Sequence, residues 1–215
     1  MKKALVPILA AAALAGLPQP ALATNGPNSV AAIYEAGRCI VREDRDAAVA
    51  LIRSLPLDGD AADLTILRGD AADCVRGTDS ASVMAVRGAI AQALFFRDFR
   101  RFGMEPQFGR RLANLNLPVE SSPATEPAVD LYRWSDCVVR NDTVGTERLL
   151  RSTVGSDEEV AALEGLRNFM SACIADDAEI RVRNAEVRSL FAQSAYNTMY
   201  RYWTGQLSAA NRRRN

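Results

Sequence analysis

The sequence predicts an all-α fold in which two tandem copies of a four-segment helical unit, each stapled by one disulfide, pack with pseudo-twofold symmetry. Three observations predict it: evenly spaced cysteines, a run of collinear identities at a nearly fixed offset, and apolar residues that recur with a helical period. The four cysteines stand at 39, 74, 137 and 173, so each half holds a pair separated by 35 or 36 residues. Near-equal spacing of this kind is the mark of an internal repeat.

A shift of 98 residues sets Tyr34 on Tyr132, Cys39 on Cys137, Arg42 on Arg140 and Asp44 on Asp142. The same shift lays Leu51-Ile52-Arg53-Ser54 over Leu149-Leu150-Arg151-Ser152. With one inserted residue, Leu64, Leu67 and Cys74 meet Leu163, Leu166 and Cys173. With two more, Val86-Arg87 and Ala91-Gln92 meet Val187-Arg188 and Ala192-Gln193. Phe95, Phe99 and Phe102 then fall on Tyr196, Tyr200 and Trp203.

The first segment of each copy is expected as a helix near 29–42 and 128–140, with Asn28 and Thr125 as start signals. The second is short, near 45–54 and 143–152, with Asp44 and Asp142 as N-caps that also favour the positive helix end. In the third, Leu64, Leu67, Ala71 and Cys74 share one helical face, and Leu163, Leu166, Met170 and Cys173 repeat it. Ser156 with Glu159 has the pattern of a capping box. The fourth segment is long, near 81–102 and 185–204, with Ser80 and Asn184 as candidate caps.

These segments divide the chain into unit 1 at 24–102, a Pro- and Ser-rich linker at 103–127, unit 2 at 128–207 and a flexible basic tail at 208–215. Ahead of them, residues 1–23 have the parts of a signal peptide: Lys2 and Lys3, an apolar run from Ala4 to Leu17, and small residues Ala21 and Ala23. The run is broken by Pro7 and is shorter than the ~20 residues a membrane-spanning helix needs. Thr24 rather than cysteine follows the expected cleavage point, so neither a membrane span nor a lipid anchor is expected. The product is expected in the periplasm or outside the cell, where four cysteines favour disulfides. Duplication selects Cys39–Cys74 and Cys137–Cys173, because a single ancestral unit had only its own two cysteines to join.

Cleavage leaves 24 arginines against 26 acidic residues, a formal charge of −2, which argues against nucleic acid as a partner. Histidine is absent from the chain, which removes Ser-His-Asp and Cys-His catalysis, His-containing zinc sites and proximal-His haem ligation. No lysine remains after residue 3, so Schiff-base chemistry goes too. No cofactor and no metal site is expected.

Phe95, Phe99 and Phe102, with Tyr196, Tyr200 and Trp203, form aromatic stripes at i, i+4 and i+7 and are the candidate contact surface. Arg42 with Asp44, and Arg140 with Asp142, form a repeated motif suited to a helix cap or an ion pair. The reading is a noncatalytic exported binding or interaction module with a protein partner. Its rivals are a secreted hydrolase acting through two carboxylates, drawn from clusters such as Asp157, Glu158 and Glu159, and a carrier of an apolar ligand between the stripes. N-terminal sequencing of exported material should find Thr24 first, and retention of Lys2 and Lys3 would contradict the signal-peptide assignment.

Overall fold

Apolar side chains at helical spacing drive most elements to bury one face. The computed structural model describes residues 30–54, 64, 67–76, 81–99, 126–174, 180, 182 and 184–212. The expected signal peptide at 1–23 and Phe102 lie outside the described residues, and so does the expected linker except at its last two positions. Among the described residues the chain forms eight helices and no strand. They are α1 (Val30–Glu43), α2 (Arg45–Arg53), α3 (Gly69–Asp73), α4 (Val83–Asp98), α5 (Glu126–Asn141), α6 (Thr143–Arg151), α7 (Asp157–Ala172) and α8 (Asn184–Arg212).

Helices α1, α2, α5 and α6 are amphipathic, and the spacing of their apolar residues decides which face turns inward. In α1 the buried set is Ile33, Tyr34, Ala36, Gly37, Ile40 and Val41, a one-sided stripe. Helix α4 differs, because residues from Val86 through Ala91 are all buried in succession. The same holds in α8 from Val187 through Tyr196. A helix buried all round has neighbours on every side. Accordingly α4 and α8 form the centre and share their most extensive contact with each other. Helices α1 and α2 cover α4, and α5 and α6 cover α8.

Gly88 sets how closely the two central helices approach. A Cβ at this position would lie 2.3 Å from the Ser189 Cβ, so only glycine lets α4 reach α8 at this depth. Beyond this crossing, Phe99 meets Tyr196 with ring centroids 5.6 Å apart. Burying each such ring contributes roughly 1.5–3 kcal/mol. One continuous core results, in which Ile40, Leu51 and Leu94 belong to the same cluster as Val138, Leu149 and Phe191.

Two disulfides, Cys39–Cys74 and Cys137–Cys173, tie α1 to the end of α3 and α5 to the end of α7. No cysteine is free. In the chain-entropy model, loops of this length make each staple worth about 3.5–4 kcal/mol.

The structure departs from the sequence reading at several ends. The expected helix through Leu64, Leu67, Ala71 and Cys74 is cut to the five residues of α3. Gly69 takes a left-handed backbone at φ 53°, and Leu67 and Arg68 before it are not helical, although Leu67 is buried. Ser156 caps α7 as expected, but Glu159 does not return to the Ser156 amide and instead accepts from Gly155 N at 2.6 Å. Helix α4 is capped by Ser82, whose side chain accepts from Ala85 N at 3.2 Å, and the expected cap Ser80 lies outside the described residues. Helix α8 continues through Arg212, past the start of the expected tail at 208, and α5 begins at Glu126, inside the expected linker.

The close crossing generates a paired prediction. Gly88→Val should lower stability by about 3 kcal/mol or more in urea unfolding, since the helices must separate to admit it. Gly165→Ala, on the exposed face of α7 with nothing within 4 Å of a new Cβ, should raise stability by about 0.5–1 kcal/mol.

Candidate binding site

Arginine is almost never fully buried without partners, yet Arg87 on α4 and Arg188 on α8 are 0% and 2% exposed. Both reach the C-terminal end of a short helix, where carbonyls left without intrahelical partners and the negative dipole end attract a cation. The Arg87 Nη2 donates to the Ser54 carbonyl that ends α2. The Arg188 Nη2 donates to the Leu150 and Ser152 carbonyls that end α6, at 2.8 and 3.0 Å. Its Nη1 donates to Ser152 Oγ and to Glu159 Oε1, each at 3.0 Å.

The remaining Nε donors cross between the central helices. Arg87 donates to Gln193 Oε1 at 3.2 Å, and Arg188 donates to Gln92 Oε1 at 3.0 Å. Each arginine of one central helix thus meets a glutamine of the other. The Tyr132 hydroxyl donates to the same Gln193 oxygen at 2.7 Å. Arg188 also stands over the Tyr34 ring at 5.4 Å. A further link forms where Asp98 accepts from Arg45 Nη2 at 2.8 Å and from the Tyr196 hydroxyl at 3.1 Å. Burial raises the phenol pKa of both Tyr34 and Tyr196. At Tyr34 the Arg188 charge partly opposes burial, whereas at Tyr196 the Asp98 carboxylate adds to it.

Two members of this network, Tyr34 and Gln92, also wall a cleft of about 310 Å³ between α1 and α4. Its apolar lining comes from Val41, Ala89, Ala93 and Phe96, and its cations from Arg38, Arg42 and Arg97. The Arg38 Nε donates to Glu35 at 3.0 Å, Arg42 Nε donates to Glu43 at 2.7 Å, and Arg97 Nη1 donates to the Val41 carbonyl. The Arg151 guanidinium lies over the Phe96 ring, 5.1 Å from its centroid. A second cleft, of about 560 Å³ between α6 and α7, has Glu147, Glu158, Arg148 and Arg151 in its wall. There Glu147 accepts from Arg151 at 2.6 and 2.8 Å, which spends that carboxylate on an ion pair.

The residues singled out in the sequence are distributed as follows. Phe95, Phe99 and Tyr196 lie in the core and present no surface to a partner, because α4 and α8 cover them. Tyr200 and Trp203 are half-buried, with Arg53 over the Tyr200 ring at 4.8 Å. The stripes touch where Phe99 meets Tyr196. Asp44 and Asp142 cap α2 and α6, accepting from Ala47 N at 2.9 Å and Gly145 N at 2.8 Å. Neither carboxylate pairs with the arginine of its own motif: Arg42 bonds Glu43, and Arg140 bonds Asp136 at 2.8 Å. Among the acidic clusters, Glu159 serves Arg188 and Gly155, while Glu158 lines the α6–α7 cleft.

Sequence reasoning missed Arg87, Arg188, Gln92 and Gln193 as a functional set. A signal was present, since the same arginine-to-glutamine spacing within a mostly apolar stretch occurs twice, at Arg87–Gln92 and Arg188–Gln193. The Arg38, Arg42 and Arg97 rim carries no such signal, because its residues come from two helices that only packing brings together. No family model, curated protein or solved structure matches the chain.

Burial holds the Tyr34 and Tyr196 phenols in their protonated form, which makes stability depend on alkaline pH. A folded-state phenol that holds its proton longer than the unfolded one stabilises the fold fully below the unfolded value near 10 and loses that contribution as pH rises past it. Urea midpoints should therefore hold up to about pH 9.5 and fall between roughly pH 10 and 11.5, and the fall should be shallower in Tyr34→Phe and Tyr196→Phe. An unchanged pH dependence in both variants would contradict the burial argument.

Proposed function

We propose that the protein is an exported, noncatalytic binding module, formed by duplication and fusion of one helical unit, that uses the cleft between α1 and α4. The observation that carries this reading is the difference between that cleft and its counterpart in the second half. At the corresponding place between α5 and α8, Leu190 stands for Ala89 and Ser194 for Ala93. There Asp136 pairs with Arg140, Thr198 Oγ1 donates to Asp136 at 3.0 Å, and Ser135 meets Ser194 at 2.5 Å. Polar bridges thus occupy the second location, whereas small apolar residues leave the first one open.

Several features support the duplication. Asp44 and Asp142 cap the short helices alike, and Ser54 Oγ and Ser152 Oγ each bond the carbonyl three residues back at 2.7 Å. Crossed Arg–Gln pairs are what a twofold relation between α4 and α8 would generate. Export is supported by the two disulfides, which suit an oxidising compartment, and by the lack of a helix long and apolar enough to span a membrane among the described residues. Binding rather than catalysis is supported by the lining, which offers cations, aromatic faces and a carboxamide but no carboxylate to act with them.

An NMR screen of small apolar fragments should move amide signals around Tyr34, Gln92 and Phe96. Ala93→Leu, which fills the floor, should abolish those shifts while leaving the melting temperature within a few degrees. Fragment shifts scattered over the surface and indifferent to Ala93→Leu would overturn the assignment of the cleft.

A further inference from the structure

Resting on the binding role of the α1–α4 cleft, we propose that its occupant is a small apolar monoanion, a carboxylate on an aliphatic or aromatic stem. The size of the cleft, about 310 Å³, falls at the lower end of small-molecule pockets, which span roughly 300–1,000 Å³. Ala89, Ala93 and Phe96 give the stem an apolar bed. The charge at the mouth comes from three guanidinium groups, and the lining itself holds no acidic side chain.

The three arginines differ in how they are held. Arg97 donates to the Val41 carbonyl, a bond that orients its guanidinium without cancelling the charge. Arg38 and Arg42 are tied to Glu35 and Glu43 in exposed pairs. Pairs of that kind contribute little, so an incoming carboxylate can compete for the same donors. Guanidinium also matches a carboxylate through two parallel hydrogen bonds, a geometry that a single ammonium lacks. Gln92 and Tyr34 line the inner wall and connect the ligand to Arg188, so occupancy should tighten the contact between the central helices.

Three probes with the same stem separate head from tail: octanoate, octanol and octylammonium, titrated into the full mature protein by NMR. Octanoate should bind at the cleft at least tenfold more tightly than either of the others, and its affinity should fall as salt is raised. Arg97→Gln should weaken octanoate about tenfold or more and leave octanol unchanged. Equal affinity for octanoate and octanol, both lost in Ala93→Leu, would overturn the anion preference yet leave the binding cleft intact. Octanoate shifts that survive Ala93→Leu would overturn both. A preference for octanoate that Arg38→Gln, Arg42→Gln and Arg97→Gln all leave untouched would overturn the assignment of the rim.

Discussion

The close crossing of α4 and α8 at Gly88 and Ser189 is the constraint on which the rest of the structure depends. Only at that separation can Arg87 reach Gln193 while Arg188 reaches Gln92. The same approach brings Phe99 onto Tyr196 and lets the Tyr196 hydroxyl reach Asp98. Widening the crossing by one side chain would take from each buried guanidinium its Nε acceptor on the opposite helix, and a buried donor left without a partner is costly.

Burying arginine is tolerable here because each guanidinium replaces water with a dense set of acceptors. Arg188 collects the Leu150 and Ser152 carbonyls, the Ser152 hydroxyl, the Gln92 carboxamide and the Glu159 carboxylate. Those carbonyls close α6 and would otherwise need other partners. The arginine thereby couples the end of a short helix, the start of α7 through Glu159, and the opposite central helix. Such a network specifies one arrangement of helices more sharply than apolar packing alone, because every donor has a direction.

Stability and the proposed binding role meet at Gln92 and Tyr34. Each faces Arg188 on its inner side and the α1–α4 cleft on its outer side. The cleft is thus backed by the hydrogen-bonded network around Arg188, a placement that holds recognition groups in position without a loop. On the other side of the molecule, Asp136, Arg140 and Thr198 are engaged with one another. Under the proposed duplication, one half keeps an opening and the other contributes packing, a division of labour that two identical copies would not have.

Helical character was legible in the sequence because a 3.6-residue period is a local property, as in Ile33, Tyr34, Gly37, Ile40 and Val41. The disulfide partners were legible too, since spacing and symmetry left one sensible pairing. Asp44 and Asp142 were readable as caps for the same local reason. The short α3 was not, because the left-handed turn at Gly69 overrides a hydrophobic pattern that continues through it. Which surfaces meet was beyond the sequence: Arg87 and Gln193 are 106 residues apart, and Arg38 and Arg97 belong to different helices. The first approach depends on the depth of the α4–α8 crossing, set by the absence of a Cβ at Gly88, and the second on the α1–α4 contact, where a Cβ on Gly37 would lie 2.5 Å from the Ala89 carbonyl carbon. Local periodicity determined the helices and their staples, while the cleft and the crossed arginines were decided by packing, which sums contacts over the whole chain.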